Sequence, residues 1–177
     1  NPDDSITKTV TNRLTGDVVA TTTTKDGAQI IVATPKNGTQ TIEVKLPEGK
    51  DKVTVTIPTA EKPGPGDVVV VVKPDGTKEI VRNSLPTERG IRITLSESAK
   101  LEVISNVKRF SDVPTTHWAD EVVTFVAARE IFTGTDVDPF SPADNATRAM
   151  LVTVLARLDG QDTSAGKTWD EAGMKWA

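Results

Sequence analysis

At 177 residues with no cysteine and a net charge of −4, the chain has room for one large or two small domains, with neither disulfides nor thiolate metal sites to hold them. No apolar run approaches eighteen residues, so no membrane span is predicted, and the start at Asn1 shows no charged-then-apolar leader. Residues 1–109 carry sixteen basic and fourteen acidic side chains and residues 110–177 five and eleven, which excludes broad nucleic-acid contact for the second part and leaves only small anions met by one or two placed groups.

Taken in chain order, the first elements are strands. Ser5–Thr11, Val18–Thr24, Ala28–Thr34, Thr39–Leu46 and Lys52–Ile57 are rich in Val, Ile and Thr, several with period-two alternation. The turns LTGD, KDG, PKNG and PEGKD between them supply Gly, Asn and Asp, which makes antiparallel hairpins the economical connection. A Pro/Gly stretch follows, Pro58–Asp67. Then VVVVVK, KEIVR, IRITL and KLEVIS resume the pattern, the first two joined by the turn KPDGTK. Some nine short strands at regular spacing predict a β-sandwich over residues 1–108; the alternative is two smaller β units divided near residues 58–67.

All four Phe and all three Trp lie from Phe110 onward, so a second kind of core begins there. THWADEVVTFVAAREIF carries apolar residues at helical spacing, with Trp118, Val122 and Val126 on one row and Ala119, Val123 and Ala127 beside it. ATRAMLVTVLARLDG does the same: Thr147 is the expected N-cap, Leu151, Leu155 and Leu158 share a face with Val154, and Gly160 is the stop signal. Setting Ala119–Ala127 over Trp169–Ala177 matches three residues at an offset of fifty. A helical unit therefore occupies 109–162, and 163–177 reads as the start of a second copy that continues beyond Ala177.

Arg148 falls in the first turn of the second helix, where the backbone dipole repels a cation. An anion is expected beside it, either a protein carboxylate such as Asp112 or Asp144 or that of a ligand. His117 is the single histidine, no nucleophile elbow is present, and no zinc-type ligand set exists. Asp136 and Asp138 only superficially resemble a calcium loop. No catalytic residue, metal or cofactor is expected.

Phe110–Gly160 resembles an S-layer homology repeat: F-x-D-V at Phe110–Val113, H-W-A at His117–Ala119, a glycine after the first helix, F-x-P at Phe140–Pro142, T-R-A at Thr147–Ala149 and a closing L-x-R-L. The resemblance implies a non-catalytic anchor on the surface of a Gram-positive bacterium, binding secondary cell-wall polysaccharide, often pyruvylated, in grooves shared with neighbouring repeats beyond Ala177. Carried over by position, it makes Asp112, Trp118, Gly134 and Arg148 the glycan-binding residues. Their structural alternatives are a turn cap for Asp112, core packing for Trp118 and an internal salt bridge for Arg148. Met150 stands where the family has glutamate, which predicts the loss of the capping box that Thr147 would otherwise close.

The fold expected is thus an antiparallel β-sandwich followed by a helical repeat of the S-layer homology type. The β part, with no aromatic platform for sugar stacking, is expected to be a spacer. Alternatives are an adhesin or protein-interaction role for it, or attachment of the whole segment to a surface polysaccharide hydrolase.

Overall fold

The computed structural model describes residues 4–134, 138–164 and 166–177 and divides into two compact units, 1–63 with 69–104, and 64–68 with 105–177. The first unit is built on antiparallel sheets, as the strand pattern predicts. Ten strands form among the described residues: β1 (Ile6–Thr11), β2 (Val18–Thr23), β3 (Gln29–Thr34), β4 (Thr41–Lys45), β5 (Val53–Ile57), β6 (Asp67–Val72), β7 (Lys78–Ile80), β8 (Leu85–Thr87), β9 (Gly90–Leu95) and β10 (Ala99–Ser105). Seven make one sheet in the order β1-β2-β3-β4-β10-β6-β7, and three make another, β5-β9-β8.

Alternation explains the sandwich. In β5 the buried residues are Val53, Val55 and Ile57 with threonines between them, so one face is apolar and the other can meet water. The same period buries Ile30 and Val32 in β3 and Ile42 and Val44 in β4. These side chains from both sheets, with Ile91 and Ile93 of β9, share one core. The turns between β1 and β4 form hairpins, but PEGKD does not, because it carries the chain from the seven-stranded sheet to β5 in the other.

The strand β8 escapes the sequence pattern. It contains Pro86, which lacks a ladder N–H, and it is tolerated because β8 is the edge of its sheet. Between β6 and β7, KPDGTK behaves as its sequence dictates: Lys73 N–H donates to Thr77 O at 2.9 Å, and Asp75 Oδ1 accepts from Thr77 N–H at 2.9 Å and Oγ1 at 2.7 Å.

The second unit holds α1 (Asp120–Ala128), α2 (Arg148–Leu158) and α3 (Glu171–Trp176). It also recruits Gly64–Val68, which lies in sequence within the β part. Arg129, at the end of α1 and fully buried, binds this segment: Nη1 donates to Pro65 O at 2.7 Å and Phe125 O at 3.0 Å, and Nη2 to Asp67 O at 3.0 Å. Its guanidinium lies 3.8 Å from the centre of the Phe125 ring, a cation–π contact strengthened by the dry surroundings. Desolvation pushes its pKa down to about 10, partly opposed by Asp67, so it stays charged at neutral pH. Gly66 fits the same place because any Cβ there would collide with Val107.

Arg129→Ala leaves these carbonyls desolvated without a donor and should destabilise the second unit by about 3 kcal/mol. All three tryptophans lie in that unit, so urea unfolding followed by Trp fluorescence checks it, with little change expected in the β-sheet signal.

Candidate functional site

The candidate site lies around the two loops that precede α1 and α2. The first is held by apolar contact: Val113, Ala119 and Val123 form a small core, with Phe110 and Phe140 packed against it, their rings edge-on at 5.1 Å. Helix α1 is shorter than its apolar run because nothing before Asp120 caps it; Ala119 occupies the N-cap without a side-chain bond, and Asp120 and Glu121 offset the dipole instead.

This short start moves Trp118 off the helix. The indole is 81% exposed, with the His117 ring centroid 5.5 Å from its own. The core role weighed for Trp118 is thereby excluded, since the buried row of α1 is Val123, Thr124, Ala127 and Ala128. Val122, expected beside them, is exposed. His117 has a local structural use, its Nδ1 accepting from Ala119 N–H at 3.2 Å.

Asp112 acts as a clamp between the two loops. Its Oδ1 accepts from Phe140 N–H at 2.9 Å and its Oδ2 from Ser141 N–H at 2.7 Å. Desolvation raises its pKa, but these two bonds, with the charge of His117, outweigh it and hold the carboxyl below the usual carboxylate range. Next to it, Ser111 N–H donates to Asp138 Oδ1 at 2.8 Å. Of the two aspartates with a superficial calcium-loop look, Asp138 thus ties its loop to Ser111 in the loop before α1, and Asp136 lies outside the described residues. Among the described residues no group of three or more His or acidic side chains is placed to hold a metal.

At α2 the expected N-cap forms, Thr147 Oγ1 accepting from Met150 N–H at 3.2 Å. The capping box predicted to be lost is present in another form. Thr147 N–H donates to Met150 Sδ at 3.4 Å, a thioether standing in for the carboxylate as a weak acceptor. Arg148 is the first helical residue and is exposed. Among the described residues its guanidinium has no ion-pair or hydrogen-bond partner, so the internal salt bridge to Asp112 or Asp144 does not form. Gly134 sits in the loop after α1 with φ 86°, a conformation that glycine adopts without strain. Among the described residues no bond joins Arg148, Trp118 and Gly134 to one another; of these four residues only Asp112 bridges the two loops, beside the bond from Ser111 to Asp138.

Leu151, Leu155 and Leu158, expected as the buried face of α2, lie 43–56% exposed, and Trp169, Met174 and Trp176 are exposed as well. The buried residues of α2 are Thr153, Val154 and Ala156. Helix α3 packs against Thr153 through Gly173, where any Cβ would lie 2.8 Å from the Thr153 Cα. Arg157, which sequence reasoning saw only as part of L-x-R-L, donates through Nη1 to Ile131 O at 2.9 Å and through Nε to Thr163 Oγ1 at 2.8 Å. Its position in the last turn of a helix, favourable for a cation, was the available signal.

The S-layer homology family matches residues 109–149, the stretch that contains both loops, Asp112, Trp118, Gly134 and Arg148. The chain carries an S-layer homology domain. It is also 38% identical over 61 residues to an endoglucanase of Bacillus sp. (strain KSM-635), an overlap of 34% of this chain and 6% of that protein. The chain therefore spans a small part of that relative's length. No solved structure matches it significantly. The S-layer homology domain is an anchoring module of cell surfaces rather than a catalytic one, and no helix among the described residues is long and apolar enough to cross a membrane.

Because the folded state favours the ionised form of Asp112, the unfolded chain takes up the proton first on acidification. The contribution of Asp112 to stability is full above its unfolded pKa of about 4 and is lost as pH falls through the lower folded value. Thermal melts of wild type and Asp112→Asn should therefore differ at pH 7, with the variant less stable, and converge toward pH 3.

Proposed function

We propose that the S-layer homology domain holds an extracellular bacterial surface protein non-covalently to an acidic secondary cell-wall polysaccharide, with the β-sandwich as a spacer. The observation that carries this reading is Arg148, an exposed guanidinium at the start of α2 with no ion-pair or hydrogen-bond partner among the described residues. The free N–H groups of the first turn and the planar fork together suit a carboxylate, and a pyruvate ketal on a sugar offers one. Trp118, held outside the core, presents an indole face for sugar stacking. Asp112 retains acceptor capacity for sugar hydroxyls beyond its two backbone bonds. Gly134 lets backbone approach the ligand closely.

Leu151, Leu155 and Leu158, at helical spacing on α2, leave an apolar stripe exposed, and Trp169 and Trp176 are exposed as well. In this reading the stripe is covered by neighbouring repeats beyond Ala177, the copy begun at residue 163 among them, and the glycan grooves are completed there. The endoglucanase relative supports a second reading of the parent protein, a polysaccharide hydrolase of the cell surface for which this segment is the anchor.

Co-sedimentation of a chain carrying all its repeats with purified cell walls, before and after removal of their secondary polymer, tests the function; equal binding to stripped walls would defeat it. In that chain Arg148→Ala should weaken wall binding roughly tenfold or more, the worth of a charge-assisted bond, with an unchanged melting temperature. Met150→Glu should do two opposite things. It should stabilise α2 by about 0.5 kcal/mol through the dipole and weaken wall binding, because the new carboxylate competes for Arg148.

A further inference from the structure

The β unit has an open groove of about 790 Å³ that the anchoring role does not use. It exists because the sheets are unequal, seven strands against three. One row across the larger sheet runs Thr7, Thr22, Ile30, Val44. Ile30 and Val44 belong to the shared core, while the threonines lie beyond the cover of the smaller sheet and line the groove. Its other wall holds Thr56 of β5, Arg92 of β9 and Arg89 in the two-residue turn between β8 and β9.

The charges there do not cancel. Glu88 in the same turn is taken by Lys62 Nζ at 2.5 Å. Arg89 and Arg92 are exposed, and neither guanidinium has an ion-pair or hydrogen-bond partner among the described residues. Arg92 alternates with the core residues Ile91 and Ile93, so its side chain leaves β9 on the opposite face, which it shares with its cross-strand partner Thr56. Two planar forks in a groove lined besides by hydroxyls, aliphatic carbons and a Glu88 carboxylate held by Lys62 suit carboxylates at intervals along a chain rich in hydroxyls.

We infer that this groove binds an acidic polysaccharide bearing ring carboxylates, with Arg89 and Arg92 meeting two carboxylates and Thr56 a sugar hydroxyl. An acidic peptide is the less suitable occupant, because it would add to a free strand edge such as β1 or β8 rather than lie across the strand faces whose side chains line the groove. No aromatic stacking is required; affinity comes from the charge pair and falls with salt.

Binding of polygalacturonate to the full chain, followed by calorimetry in an Arg148→Ala background, separates this groove from the helical site. Binding should persist in that background and fall roughly a hundredfold when Arg89→Ala and Arg92→Ala are added, about one charge-assisted bond each. Arg89→Lys with Arg92→Lys, which keeps the charge and loses the fork, should give an intermediate loss, and circular dichroism should be unchanged in all variants. Undiminished binding after removal of both arginines would overturn the proposal. So would equal binding of the carboxyl-reduced polymer, and so would tighter binding of polyglutamate, which would make the groove a peptide site.

Discussion

The guanidinium of Arg129 is a charge placed where no water reaches it, and the helical unit is organised around satisfying it. Backbone carbonyls of Pro65, Asp67 and Phe125 accept its N–H groups, and the Phe125 ring covers it. Such an arrangement tolerates no sliding, since a buried donor that loses its acceptor costs more than the bond contributed. The end of α1 is thereby fixed in rotation, with Asn106 Nδ2 adding a bond to Ala128 O at 2.7 Å. Once the end is fixed, helical periodicity decides the rest: Val123 and Ala127 turn inward, and Val122 turns out.

Exposure of Trp118 follows from the same constraint and from the missing cap. A helix that began at Thr116 would carry the indole around on its own surface; one that begins at Asp120 leaves it on the preceding turn. The clamp at Asp112 then sets the second loop, and with it the point where the chain enters α2. Structural and ligand roles for Asp112 are compatible, since a carboxylate offers about four acceptor positions and the backbone of Phe140 and Ser141 uses two. Arg148 differs in kind. It is exposed at the first position of α2 and has no ion-pair or hydrogen-bond partner among the described residues.

Much of this was legible in the residues. Nine strands, the Thr147 cap and the stop at Gly160 all came from local chemistry, and local chemistry decided them. What was not legible depended on contacts distant in sequence. The apolar rows of both helices were read without a way to choose between two adjacent faces, and the choice was made by Arg129 in α1 and by Gly173 against Thr153 in α2. Pro86 hid β8 because a sequence does not say which strand will be an edge. Met150 was judged by the glutamate it replaces, although a thioether can still accept a hydrogen bond, if a weak one.

The unequal sheets carry a further lesson about composition. Threonine has the branched Cβ that favours strands but a hydroxyl that can meet water, so Thr-rich strands can extend past the edge of a facing sheet without exposing an aliphatic surface. Across the row Thr7, Thr22, Ile30, Val44, the change from threonine to aliphatic falls where the smaller sheet begins to cover the larger. The same run of threonines therefore gives the hairpin β1–β2 its strand character and keeps its inner face wet. A row of threonines beside two guanidiniums that find no partner among the described residues gives a largely aliphatic groove one charged wall, and that wall stands open because of how far the second sheet reaches.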